Sequence, residues 1–309
     1  MTTLRLGTRG SALALWQART VASALEARGA DVEVVTITTQ GDRRQDVALP
    51  DIGGKRVFVK EIEDALLAGE IDLAVHSAKD MAAERTAGLM IAAALPREDP
   101  RDAMVLRAGS PEGLRYETAV AQGFSPALIG TGSARRIGQL ARQFPGATFV
   151  PVRGNVDTRL RKLDAGEMDA LVLAAAGLTR LGLSARITTT FPTDVCVPAP
   201  GQGIIAIEVR TDDERTYAQV APLGNNDARV ALSAEQAVVA GIGGGCQLPL
   251  GAYATIRDGS LLLRAVVASL NGEEVVSSNV AGHPGDAVAL GRQAANELSA
   301  RGARRLLQS

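Results

Sequence analysis

Leu4-Arg5-Leu6-Gly7-Thr8-Arg9-Gly10-Ser11-Ala12-Leu13-Ala14-Leu15-Trp16-Gln17 reads as a strand that turns directly into a helix. Residues 4–8 form the strand. Ser11 is a side-chain cap for the helix start, and Leu15, Ala18, Ala22 and Leu25 recur at helical spacing until Gly29 stops the run. Val32, Val34 and Thr36, interleaved with Glu33, Val35 and Ile37, predict a second strand buried largely on both faces. The same rhythm continues with a helix at 59–68 and strands at 71–75, 127–130, 148–152 and 170–174, separated by helices ending near Phe144 and Ala165. Strands and helices alternating in this way predict parallel sheets with helices on both faces. After about residue 245 the texture changes. Strands at 252–256, 261–269 and 274–280 are joined by Arg257-Asp258-Gly259 and Asn271-Gly272, which are hairpin turns, and a helix at 286–301 closes the chain. The expected fold is two doubly wound α/β domains plus a smaller α+β C-terminal domain with an antiparallel sheet.

Composition narrows the function. The chain has 309 residues, 46% hydrophobic and 22% charged, within the ordinary range for a globular protein of two or three domains. No apolar run reaches the ~18 residues of a membrane span, and no basic-then-apolar leader precedes the first strand, so a cytoplasmic protein off the membrane is expected. A net charge of −1 gives no nucleic-acid footprint. Cys196 and Cys246 are too few for a disulfide framework, and His76 and His283 have no metal-ligand spacing, so no metal is expected. Only four basic residues are lysines (Lys55, Lys60, Lys79 and Lys162) against 29 arginines. Base composition of the genome is the plain explanation, yet three of the four fall in segments that matter below.

In open α/β sheets ligands bind beyond the carboxyl ends of the strands. Four unusual clusters stand there: Thr8-Arg9-Gly10-Ser11, Ser77-Ala78-Lys79-Asp80, Thr131-Gly132-Ser133-Ala134-Arg135-Arg136 and Arg153-Gly154-Asn155. Cations at several helix N-termini repel the helix dipole unless an anion binds, so the pattern implies a cleft for several carboxylates or phosphates. Any single arginine here reads equally as a solvated surface residue; four clusters at equivalent places do not. Asp80, the one acid among these cations, is an ion-pair partner of Lys79 or an N-cap on the plain reading. On the functional reading it is a fixed negative charge opposite a cationic intermediate. Cys246, in Gly243-Gly244-Gly245-Cys246-Gln247-Leu248-Pro249, reads equally as an incidental loop cysteine or as one in an exposed, tightly shaped loop that presents a thiolate, whereas Cys196 alternates like a strand residue and reads as packing.

These stretches resemble the porphobilinogen deaminase family. The likeness runs from the opening motif through Gly53-Gly54-Lys55, Phe58-Val59-Lys60-Glu61, Ala74-Val75-His76-Ser77 with Lys79-Asp80, and Arg97-Glu98-Asp99-Pro100-Arg101-Asp102-Ala103. It continues in Gly130-Thr131 with Ser133 and Arg135-Arg136, Arg153-Gly154-Asn155-Val156, Ala176 to Gly182, Pro200-Gly201-Gln202-Gly203 and Gly244-Gly245-Cys246-Gln247. The resemblance implies a monomeric transferase of tetrapyrrole synthesis. Cys246 carries a dipyrromethane cofactor through a thioether, and four porphobilinogen molecules are joined through azafulvene-like cations before hydroxymethylbilane is released by hydrolysis. Asp80 is then the catalytic carboxylate. Arg9, Ser11, Lys55, Lys79, Arg135, Arg136, Arg153, Arg159 and Arg180 hold the acetates and propionates of the pyrroles. Gln17, Phe58, Ser77, Thr131, Ser133, Asn155 and Gln202 complete the binding set. Asp51 departs from the family pattern, which has a lysine there in many members; Ala78, Met81-Ala82 and Gly132 depart more mildly. Domain one then spans 1–97 and 195–214, domain two 98–194 and domain three 218–309, the first two hinged like type II periplasmic binding proteins.

Two other classes share parts of this signature. A solute-binding module of the same two-lobed fold would not need a glycine-framed Cys246 or Asp80 among so many cations. A phosphate-ester enzyme would show a phosphate-binding Gly-rich loop with Lys and Ser/Thr, or clustered metal-binding acids, and neither is present.

Overall fold

The computed structural model describes residues 3–43, 58–110, 118, 121, 123, 125–243 and 248–307. The first sheet is entered by β1 (Leu4–Thr8), helix α1 (Ala12–Glu26), β2 (Val32–Thr36), α2 (Lys60–Leu67), β3 (Leu73–Ser77) and β4 (Leu89–Ala94). The chain then crosses to a second sheet of β5 (Asp102–Leu106), β6 (Leu128–Gly130), α3 (Ala134–Leu140), β7 (Thr148–Val150), α4 (Val156–Asp164), β8 (Ala170–Ala174), α5 (Ala175–Arg180) and β9 (Thr189–Thr190). It returns to place β10 (Ile205–Arg210) in the first sheet. Helices α6 (Glu214–Val220) and α7 (Asn226–Ile242) lead to β11 (Leu250–Arg257), β12 (Ser260–Ala268), β13 (Val275–Gly282) and α8 (Ala287–Ala300).

Each of the first two sheets has five strands, in the orders β2-β1-β3-β10-β4 and β7-β6-β8-β5-β9. They are mixed, which corrects the expectation of parallel sheets: β10 runs antiparallel to β3 and β4, and β5 antiparallel to β8 and β9. Both reversed strands follow a crossover, so each enters its sheet from the opposite end. Both faces of the first sheet are covered. Leu4, Leu6, Leu73, Val75 and Ile207 pack on Ala18, Val21 and Leu25 of α1, and Ile71, Ala74 and Leu89 pack on Ile62 and Leu66 of α2. The second sheet is likewise sandwiched, with Leu171 and Leu173 against Leu160 and Leu163 on one side and Met104 and Val172 against Leu140 and Phe144 on the other.

β2 also departs from expectation. It is an edge strand, and none of its residues is fully buried. Its valines fit a pleated surface, but a strand with one neighbour keeps a side open to water. The antiparallel unit follows the sequence closely. At the first hairpin Asp258 and Gly259 take φ of 49° and 75°, the doubly left-handed turn that matches strand twist. Against this sheet lie α7 and α8, in contact along their small residues. Among the described residues no helix is long and apolar enough to cross a membrane.

The α7–α8 contact has no spare room at Gly291, where a Cβ would stand 2.3 Å from the carbonyl oxygen of Ala234. Overpacking costs roughly 1–3 kcal/mol, more than the ~1 kcal/mol of helix propensity that alanine gains over glycine. Gly291→Ala is therefore expected to lower the thermal midpoint; an unchanged or raised midpoint would refute the close packing.

Candidate functional site

The carboxyl ends of β1 and β3 open on a recess lined by Arg9, Ser11, Gln17, Phe58, His76, Ser77 and Asp80. Ser11 caps α1, its hydroxyl accepting from the Ala14 amide at 3.3 Å. The guanidinium of Arg9 lies 4.3 Å from the centre of the Phe58 ring, a cation–π contact that fixes its direction. Gln17 is buried, and its Nε2 has no hydrogen-bond partner among the described residues. Beyond β3 a single 3-10 turn, Ala78–Asp80, carries Lys79 and Asp80. The return crossover presses on that turn: a Cβ on Gly201 would sit 2.9 Å from the Ala78 carbonyl carbon and 3.0 Å from the Lys79 nitrogen.

The second lobe brings its own cations to the same place. Ser133 caps α3 by accepting from the Arg136 amide, and Thr131 accepts from the Ser133 amide at 3.3 Å. Asn155 stands at the start of α4 without a side-chain cap bond, and Arg159 donates from Nε to the Gly154 carbonyl at 2.7 Å. Charge interactions show which groups lie within one another's fields. The Lys79 ammonium is pulled down to about 8, first by desolvation and further by Arg136 and Arg135, with Asp80 and Asp102 opposing. Arg159 is brought to about 10, again first by desolvation, then by Arg136 and Arg153, with Asp80 opposing. Asp80 thus lies in the fields of Lys79 from one lobe and Arg159 from the other. Lys79, Asp80, Arg136, Arg153 and Arg159 form one charged group across the cleft.

Arg135 and Arg136 need a correction. They are buried, and the carboxylate they hold is internal. Arg135 grips Asp102 from Nη1 at 2.6 Å and Nη2 at 3.2 Å, and Arg136 donates to it from Nε at 2.9 Å. Gln202 adds a bond to the same oxygen at 3.0 Å, and the Cys196 thiol donates to the other at 3.3 Å. The fold thus supplies one carboxylate to two guanidinium groups, a partner that the sequence does not mark. Burial alone would raise the Asp102 pKa, but the two guanidinium groups hold it well below the usual carboxylate range. Cys196 lies in no strand; burial and then Asp102 push its thiol up to about 12, which leaves it inert. Arg180 is also committed inside the protein. It donates to the Gly203 carbonyl at 2.7 Å and lies 5.7 Å from the Trp16 ring centre, joining the lobes.

Lys55 and Cys246 lie outside the described residues. Two acids escaped the sequence reading. One is Asp102. The other is Glu235, fully buried on α7, which accepts from Arg97 at 2.8 and 2.9 Å, from the Gly201 amide at 2.6 Å and from the Ala254 amide at 2.7 Å. A signal existed for each: Asp102 ends the dense charge run 97–102, and Glu235 interrupts the apolar run of α7.

Two family models match, "Porphobilinogen deaminase, dipyromethane cofactor binding domain" over residues 4–218 and "Porphobilinogen deaminase, C-terminal domain" over 230–300. This chain belongs to the porphobilinogen deaminase family. A porphobilinogen deaminase of Syntrophotalea carbinolica is 46% identical over 98% of this chain and 95% of its own. One of Roseiflexus sp. is 47% identical over 99% and 98%. Among solved structures the methionine-binding protein MetQ is 12% identical with a TM-score of 0.44, over 72% of this chain and 89% of that one. The site fits the polyanionic cofactor of the porphobilinogen deaminase family on its own evidence. Gln17 offers an unpartnered buried donor in the recess, and Lys79 and Arg159 are held below their ordinary values first by desolvation and then by neighbouring arginines, a setting that incoming carboxylates relieve.

Asp102 sets the acid limit of this arrangement. Its folded pKa is depressed, so its stabilisation is complete above the unfolded value of ~3.9 and is lost as pH falls through the folded value. Asp102→Asn leaves two guanidinium groups buried with their neutralising charge removed, an expected loss of ~3–5 kcal/mol in denaturant unfolding at neutral pH. A loss below ~1 kcal/mol would show that the carboxylate is dispensable.

Proposed function

We propose that this chain joins four porphobilinogen molecules head to tail into hydroxymethylbilane, acting as a cytoplasmic monomer. In each coupling the carbon–nitrogen bond of the aminomethyl group breaks and ammonia leaves. A carbon–carbon bond forms from that methylene carbon to the free ring carbon of the last pyrrole on the bound chain, which gives up its ring proton; water completes the final release. The observation that carries this reading is the position of Asp80, a single carboxylate in the fields of Lys79 and Arg159 in a chain of this family. Residues 1–97 with 195–214 form one lobe, 98–194 the other, and 218–309 the domain bearing Cys246.

Dipyrromethane, bound by a thioether at Cys246, supplies the pyrrole carbon to which the first ring is joined. The protein's own groups do the rest. Arg9, Lys55, Lys79, Arg153 and Arg159 hold acetate and propionate groups, with Arg9 braced on Phe58. Gln17 gives its spare amide hydrogens to the same ligand, and Ser77 borders it. Asp80 faces the pyrrole N–H and opposes the positive charge that develops on the substrate as ammonia leaves. Ser11 and Ser133 cap the helix starts beside the cations, and Thr131 and Asn155 border the ligand with them. Arg135, Arg136, Gln202 and Arg180 also act as positioning residues, since they donate to Asp102, Pro100, Val172, Val197 and Gly203.

Intact-mass measurement of the purified chain tests the reading directly. The wild type is expected to carry an adduct of two linked pyrroles that Cys246→Ser lacks. Asp80→Asn should keep the adduct while turnover falls ~100- to 1,000-fold, the usual cost of removing one charge-stabilising group. An unmodified wild type that makes no bilane sinks the proposal, and full activity in Asp80→Asn removes that residue from the chemistry. A pH series adds a third check. Lys79 loses its charge as pH rises through about 8, so KM for porphobilinogen should climb above that pH in the wild type and stay level in Lys79→Arg. Identical profiles would exclude Lys79 from substrate binding.

A further inference from the structure

On the side of the molecule where α7 and α8 meet the segment after Asp80, a cleft of about 510 Å³ opens between the helices and Arg85. Its volume falls in the range of small-molecule sites, roughly 300–1,000 Å³. Ala237 and Ala240 of α7 and the exposed Val288 of α8 give it an apolar floor, while Arg85 and Arg292 bring two cations and no acid lines it among the described residues. Gln236 supplies the independent sign of a ligand. It is only 8% exposed; its Oε1 accepts from Arg85 at 2.9 Å, which fixes the amide orientation, and its Nε2 has no partner among the described residues. A buried donor left unsatisfied costs about 1–3 kcal/mol, so the site favours an acceptor brought from outside. Flat guanidinium forks beside an apolar floor suit a planar carboxylate on a hydrocarbon body. None of these residues belongs to the recess around Asp80.

We infer that this cleft is a second ligand site, for a small organic carboxylate whose apolar body rests on Ala237, Ala240 and Val288 and whose charge meets Arg85 and Arg292. The full chain with its cofactor can be titrated with 2-naphthoate by fluorescence, with 2-naphthalenemethanol and inorganic phosphate as comparison probes. Arg292→Gln, an exposed change that leaves the fold intact, is expected to weaken 2-naphthoate at least tenfold, as is Arg85→Gln. Asp80→Asn should leave that binding unchanged. The alcohol and phosphate should each bind at least tenfold more weakly than the carboxylate. Equal binding of the alcohol removes the role of charge, and equal binding of phosphate removes the role of the floor. Binding that survives both arginine changes, or that disappears in Asp80→Asn, overturns the site. Because Gln236 is buried, Gln236→Glu gives a second reading: replacing the spare donor with a carboxylate should repel the probe by a similar factor while steady melting behaviour confirms folding.

Discussion

A single buried carboxylate governs the layout of the second lobe. Asp102 is 0% exposed, and isolated in such a place it would neutralise; instead Arg135 and Arg136 surround it. The pairing explains why two adjacent arginines can occupy the buried start of a helix against its dipole. It also fixes more than one helix. Arg135 reaches the Val197 carbonyl, Arg136 the Val172 carbonyl on β8, and Gln202 bonds both Asp102 and the Pro100 carbonyl. One acid thus ties α3, the second sheet and both crossover segments together.

Glu235 does the corresponding work for the C-terminal unit. Its two oxygens collect Arg97 on the first crossover, the Gly201 amide on the second and the Ala254 amide on β11. The crossovers also bond to each other, through the Glu98 amide to the Gly203 carbonyl at 3.0 Å and the Leu95 amide to the Ile205 carbonyl at 2.9 Å. Gly203 has to be glycine here: its φ is +87° and a Cβ would stand 2.4 Å from the Glu98 carbonyl oxygen. The two connections therefore run as a paired ribbon with a buried ion pair anchoring each side. A ribbon of that kind can flex along its length while its ends stay in register, which suits lobes that must admit a growing ligand.

What the sequence disclosed, and what it hid, follows from the range of the interactions involved. Local rules sufficed for Ser11 and Ser133 as caps, for Asp258-Gly259 as a hairpin turn and for the placing of cations beyond strand ends, because each depends on residues within a few positions. Strand direction did not yield to them. β10 and β5 carry the same apolar runs whichever way they lie, and only the crossovers decide. The fate of Arg135 and Arg136 was hidden for a similar reason: Asp102 lies 33 positions before Arg135 and Cys196 94 beyond Asp102, so nothing local marks them as partners. Nothing local marks Gly203 and Trp16 as neighbours of Arg180 either. Long-range pairing gives cations internal partners, and a motif shows only that the cations are present.

Sorting the cations in this way sharpens the electrostatics of the cleft. Desolvation is the first cause that lowers Lys79 and Arg159; Asp102 offsets only part of the charge of Arg135 and Arg136, and their remaining field lowers Lys79 further, as that of Arg136 does Arg159. Lys79 and Arg159 therefore sit in an environment that disfavours their own charge, with Asp80 offering partial relief to both. A ligand bearing several carboxylates offsets that penalty on binding, so part of its affinity is stored in the protein beforehand as unfavourable charge. Asp80 borders the recess, where a positive charge arising on the substrate meets a carboxylate already in position.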